Sequence, residues 1–84
     1  MEIVWQQKGW EDYLYWQKTD KQKLKRINEL IKDCQRNHFT GIGKPEPLRN
    51  NMAGLWSRRI DEEHRLVYKI QEDRLHIVQC RYHY

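Results

Sequence analysis

The chain is short of most of the residues that announce a fold or a location. In 84 residues there are two cysteines, two prolines, four glycines and one phenylalanine. Two cysteines make no disulfide framework, and Cys34 and Cys80 have no metal-type partner beside them, so free thiols in a cytoplasmic setting are expected. No apolar run approaches the roughly 18 residues that would cross a bilayer, so no membrane contact is expected. The N-terminal segment MEIVWQQKGWEDY carries acids and no apolar stretch of the secretory kind. Aliphatic residues are also scarce: Leu, Ile, Val and Phe number eighteen of the 84. A core that thin must be completed by something else.

Aromatic residues complete it. Four Trp, five Tyr and one Phe bury large areas if each indole N–H and phenol O–H finds a partner. Charge is abundant but nearly balanced, with 16 Lys and Arg against 12 Asp and Glu for a net +4. The excess is spread evenly, +2 on each side of Ile42, with no basic or acidic tail. It points mildly to a polyanion and equally to an ordinary positive surface.

Hydropathy patterning divides the chain. MEIVWQ alternates as a short strand. Trp10, Tyr13, Leu14 and Gln17 recur at helical spacing, which predicts a first helix with that face, Trp10 and Tyr13 included, in the core. Thr19-Asp20 breaks it, and Asp20 suits the N-cap of a second helix. There Leu24, Ile27, Leu30, Ile31 and Cys34 form one stripe, with Lys21, Lys23, Lys25, Arg26 and Lys32 largely off it. Both prolines and two of the glycines fall in NHFTGIGKPEP (Asn37–Pro47), which predicts irregular structure.

Beyond it the period becomes two. LWSRRI, RLVYKI and RLHIVQCRYHY are strand candidates joined by hairpin-sized polar links. Together these give one α+β domain over residues 1–84, in the order β-α-α-β-β-β. A helical hairpin packs on one face of a small, mainly antiparallel sheet, and the other face can stay uncovered.

That second face carries the candidate chemistry. With Leu66, Tyr68 and Ile70 turned inward, Arg65 faces outward. Flanked by Arg59 and Arg81, it would gather three guanidinium groups, which costs stability unless an anion is bound. Glu46, stiffened between Pro45 and Pro47, is a positioned carboxylate suited to a general base, or else an exposed loop acid. His83 and Tyr84 close the last alternating segment. Cys80-x-x-His83 is too incomplete for zinc. His64, after Asp61-Glu62-Glu63, reads as part of a solvated turn, and the Trp10–Trp16 run as core packing rather than a base-stacking platform.

The segments WEDYLYWQ, GKPEPL, LWSRRI, EEHRLVY and the terminal CRYHY resemble the YoeB (Txe) type of the RelE superfamily, over essentially the whole chain. The resemblance implies a RelE-like, microbial-RNase-like fold and the toxin of a type II toxin–antitoxin pair. Such a toxin cleaves mRNA in the ribosomal A site and needs no metal or other cofactor. It implies Glu46 as general base, His83 as general acid, Arg65 as the residue meeting charge on the phosphate, and Tyr84 as an orienting group. Arg59 is a supporting cation. Position 49, commonly Lys in this type, is Arg here, and the two hold phosphates differently. Implied partners are an antitoxin of the YefM/Axe kind, ribosome and mRNA, operator DNA through the antitoxin complex, and a second copy of the chain. The competing class is a basic module that binds ribosome or DNA without cutting, which has no need of a Glu46/His83 pair.

Overall fold

A computed structural model describes residues Met1–Tyr84. The elements are β1 (Glu2–Trp5), α1 (Gln7–Thr19), α2 (Lys21–Arg36), β2 (Glu46–Pro47), β3 (Trp56–Arg59), β4 (Arg65–Gln71) and β5 (Arg74–Gln79). A single 3-10 turn, Asn50–Met52, lies between β2 and β3. The five strands form one sheet in the order β1-β5-β4-β3-β2. β1 runs parallel to β5 and the other neighbours are antiparallel. The α+β arrangement expected from the sequence is therefore present. No helix is long and apolar enough to cross a membrane.

Asp20 is the corner of the helical hairpin. Its backbone N–H closes α1 on the Trp16 carbonyl, and its carboxylate opens α2 by accepting from Gln22 N (3.1 Å) and Lys23 N (3.2 Å). Two of the donors left over at a helix start are thereby satisfied. The α2 stripe lands as expected, with Ile27, Leu30, Ile31 and Cys34 buried and Leu24 packed at their margin. These side chains meet Leu66 and Tyr68 of β4 and Leu75 and Ile77 of β5 in one core.

Three expectations need correction. The inward face of α1 is Gly9, Asp12 and Trp16, not the Trp10 face. A Cβ at Gly9 would lie 2.6 Å from the Ile77 carbonyl oxygen, so α1 sits on β5 at a distance only glycine allows. Trp10 and Leu14 are consequently exposed, and Trp10 packs sideways on Trp5 and Tyr13. Tyr13 is only half-buried, while Tyr68 is fully buried as expected.

Second, Glu46–Pro47 is not irregular but a two-residue edge strand on β3, with Glu46 opposite Ser57 and Pro47 opposite Trp56. An edge is where a residue without an N–H is tolerated. Third, β5 ends at Gln79, so residues 80–84 form a tail outside the ladder and strand parity does not govern His83.

Candidate active site on the open sheet face

Alternation along β3 sends neighbouring arginines to opposite sides. Arg58 goes to the helix side and is fully buried. It donates to Tyr68 Oη (3.3 Å), Asp33 Oδ2 (2.6 Å) and the carbonyls of Ile42 (3.2 Å), Thr40 (2.8 Å) and Asn37. Arg58 thus ties the Asn37–Ile42 loop to the core. It was absent from the sequence reading, although the parity that places Arg59 outward places Arg58 inward. The Arg58 bond holds the Asp33 carboxyl below its ordinary value, with burial opposing. Burial pushes the Tyr68 hydroxyl up to about 12, so it stays protonated and donates to the His38 carbonyl (2.6 Å).

Arg59 goes to the open face. There it stands directly opposite Arg65, the like-charged pair anticipated from the sequence. Arg65 is not freely exposed, as its outward parity suggested; it is 7% accessible. Its Nη1 donates to the carbonyls of Asp61 (2.7 Å), Glu62 (3.2 Å) and His64 (3.1 Å). Those carbonyls are aimed by Asp61, whose Oδ1 accepts from Glu63 N (2.8 Å) and His64 N (2.7 Å). The other carboxylate oxygen of Asp61 pairs with Lys23 (2.7 Å). Burial pushes the Asp61 carboxyl upward, but the Lys23 bond and the two backbone donors outweigh it and hold the carboxyl below its ordinary value. Arg65 is therefore a guanidinium anchored through one nitrogen, Nη1.

Glu46, Ser57, Val67 and Gln79 form the next cross-strand row, two residues along from Arg59 and Arg65. The centre of this face is not bare as expected, because Ser57 and Val67 are buried. The C-terminal tail crosses it. Arg65 N donates to the Tyr82 carbonyl (3.1 Å), and Tyr84 Oη lies 3.3 Å from Ser57 Oγ. Tyr84 Oη also donates to Glu46 Oε1 (3.1 Å). His83, exposed, lies tilted against the Tyr84 ring with centroids 4.6 Å apart. Beside them a groove of about 520 Å³ is lined by Glu46, Pro47, Leu48, Arg49, the Asn50–Met52 turn and Tyr84.

Glu46, Arg49, Arg59, Arg65, His83 and Tyr84 thus share one region. Arg81 does not join them. Its guanidinium covers the ring of Tyr15 at 3.5 Å and that of Tyr82 at 4.5 Å, toward α1, because the chain has left the strand whose parity would have aligned it. Cys80 and His83 also diverge. Cys80 is buried with Sγ 3.6 Å from the Gly9 carbonyl, and burial pushes its thiol up to about 12. His64, read as a solvated turn residue, is buried between Trp16 and Tyr82. Nothing in its sequence surroundings signals this, since its partners lie far away along the chain.

A small α+β domain with an acid, paired arginines and a terminal His-Tyr on one sheet face fits a known class. Residues 5–84 match the family model of the YoeB-like toxin of bacterial type II toxin-antitoxin systems. Toxin YoeB of Escherichia coli (strain K12) is 61% identical over 84 residues, covering the whole of both chains. Among solved structures, the YoeB/ParE toxin from Agrobacterium tumefaciens superposes with a TM-score of 0.98 at 50% identity, covering all of both chains. The Staphylococcus aureus YoeB, solved in a heterotetrameric complex with YefM, gives 0.92 at 47% identity, over 100% of this chain and 98% of that one. The same toxin is also known as a dimer, with a TM-score of 0.93 at 47% identity over the same shares. The class is accordingly that of type II toxin–antitoxin toxins. Within it, the chain belongs to the YoeB family.

Proposed function

We propose that the chain is a ribosome-dependent endoribonuclease that cuts mRNA in the A site and so stops translation. The observation that carries this reading is the bond from Tyr84 Oη to Glu46 Oε1. It joins the C-terminal His-Tyr pair to a carboxylate of the open face, beside two arginines and a groove. A surface that only bound RNA would have no use for an acid there.

In this reaction Glu46 takes the proton of a ribose 2′-hydroxyl, which attacks the adjacent phosphorus. His83, as imidazolium, protonates the departing 5′-oxygen. The products are a 2′,3′-cyclic phosphate and a 5′-hydroxyl end. Because the nucleophile belongs to the substrate, alignment alone supplies about 7–11 kcal/mol of the barrier reduction. Acid and base each contribute about 10²–10⁴-fold. Arg65, held by the 61–64 carbonyls, and Arg59 opposite it meet the negative charge that grows on the phosphorane without having to reorganise. Tyr84, donating to Glu46, holds the carboxylate in place on the sheet edge. Arg49 reaches phosphate from the groove rim.

The partners follow from the same reading. An antitoxin of the YefM kind covers the arginine face with acidic residues, operator DNA is bound only with that antitoxin, and a homodimer forms as in the S. aureus relative. The exposed lysines of α2 lie against ribosomal RNA, which makes docking salt-dependent. The setting is the bacterial cytoplasm. The test is mapping of mRNA 5′ ends on purified ribosomes with wild type, Glu46→Ala and His83→Ala. Wild type should cut in the A site and each variant should lose about 10²-fold or more. Equal stalling by all three with no cut would leave a binding module instead.

A further inference from the structure

Residues 80–84 have left the sheet, yet their backbone is fully engaged at two positions. At Cys80 the N–H donates to Asp12 Oδ2 (3.1 Å) and the carbonyl accepts from Trp16 Nε1 (2.8 Å). At Tyr82 the N–H donates to His64 Nδ1 (2.7 Å) and the carbonyl accepts from Arg65 N (3.1 Å). Three of these four bonds go to side chains, and all three side chains are buried. Tyr82 moreover holds φ +67°, a left-handed conformation that a tyrosine keeps only when its surroundings impose it. The next two residues are His83 and Tyr84.

We infer that Asp12, Trp16 and His64 form a latch that fixes the tail in the conformation presenting His83 and Tyr84 to Glu46, with His64 as a positioning residue for the reaction. His64 contacts neither Glu46 nor the groove, so its effect passes through Tyr82. Because Nδ1 accepts, the ring carries its proton on Nε2, where the exposed Glu63 carboxylate lies at 3.5 Å. The edge of the Trp16 ring system packs on the imidazole with centroids 4.8 Å apart, so one tryptophan both bonds the tail and seats the histidine that bonds it again. A ladder shares its load over many backbone bonds, whereas here one side-chain acceptor and one backbone donor hold the turn into the site. The consequence for activity rests on the nuclease reading; the consequence for tail order does not.

The test is amide hydrogen exchange by NMR on the intact protein, together with single-turnover cleavage on ribosomes. In wild type the Cys80 and Tyr82 amides should exchange at least about tenfold more slowly than that of Tyr84. His64→Leu fills the space without an acceptor, and should speed Tyr82 exchange and slow cleavage about tenfold each, with ribosome affinity within about twofold. His64→Asn restores an acceptor at the Nδ1 position and should keep both within about threefold of wild type. A Tyr82 amide unprotected in wild type would overturn the latch even if no variant folds. So would wild-type cleavage by His64→Leu, or equal losses in the Asn and Leu variants, which would reduce His64 to packing. If wild type itself cuts nothing, the nuclease reading has failed, and the exchange rates decide the latch alone.

Discussion

Arg58 and Arg59 are consecutive residues on one strand, and they obey opposite rules. Arg58, under the helices, has five acceptors and no exposure, so its charge is spent inside the protein. Arg59, on the open face, is exposed and stands against a second arginine. The covered face pairs every charge it takes in; the open face keeps two cations together at a cost. That difference separates scaffold from site more clearly than a count of arginines does, because each face carries one from the same strand.

The sharpest way to break the comparison is on the covered side. Arg58→Ala removes the charged partner of Asp33 and the donor to the Tyr68 hydroxyl and three loop carbonyls. Removing one member of a fully buried ion pair costs about 3–5 kcal/mol, an upper bound here because the Asp33 side chain keeps 22% of its surface exposed. A domain of this length holds only about 4–13 kcal/mol in all. Urea unfolding should therefore show a protein near its limit of stability, with the Asn37–Ile42 loop the first region to lose order. A loss under about 1 kcal/mol would mean that water replaces those bonds and that Arg58 is not the organiser of the loop.

On the open side the expectation reverses. Arg59→Ala should leave the urea midpoint within the equivalent of about 0.5 kcal/mol, since the lost side chain bonds nothing and its removal relieves Arg65. Cleavage should fall about tenfold through lost transition-state charge. Arg65→Ala should lose more, about a hundredfold, and should also destabilise the protein, because the Asp61 and Glu62 carbonyls lose their donor. If Arg59→Ala proved as destabilising as Arg58→Ala, the two faces would not differ as described.

Much of this was legible in the sequence, for identifiable reasons. The α2 stripe, the Asp20 cap and the strands β3 and β4 are periodic, and periodicity survives folding. Parity put Arg59 and Arg65 on the same face, and the register of the β3–β4 hairpin sets them directly opposite. The inward face of α1 was misread because it is built from Gly9 and Asp12, which are not apolar. One of them permits close approach to β5, and the other accepts a backbone bond. The strand at Glu46–Pro47 is too short to show a period. The tail did alternate, and so read as strand, but what holds it is a set of side chains up to 68 positions away. Arg81 was assigned to the site on that false continuation. Contacts of such sequence separation leave no local trace, which is why His64 read as a solvated turn.

Acid provides the mildest probe of the two faces. The Asp33 carboxyl is held below its ordinary value of 3.8, chiefly by the Arg58 bond and with burial opposing. A carboxyl depressed in the folded state binds its proton more readily in the unfolded chain. Its contribution is therefore complete above the unfolded value, and disappears as pH falls through the folded one. Comparing wild type with Asp33→Asn isolates this group from other carboxylates. The stability gap should be constant above about pH 5 and close progressively below about pH 4, as protonation makes the wild-type residue resemble the amide. It should be smaller than the loss from Arg58→Ala, because the amide oxygen still accepts from Arg58. Were the gap unchanged down to about pH 2, Arg58 would owe its hold on the core to the loop carbonyls and Tyr68, and its pairing with Asp33 would be incidental.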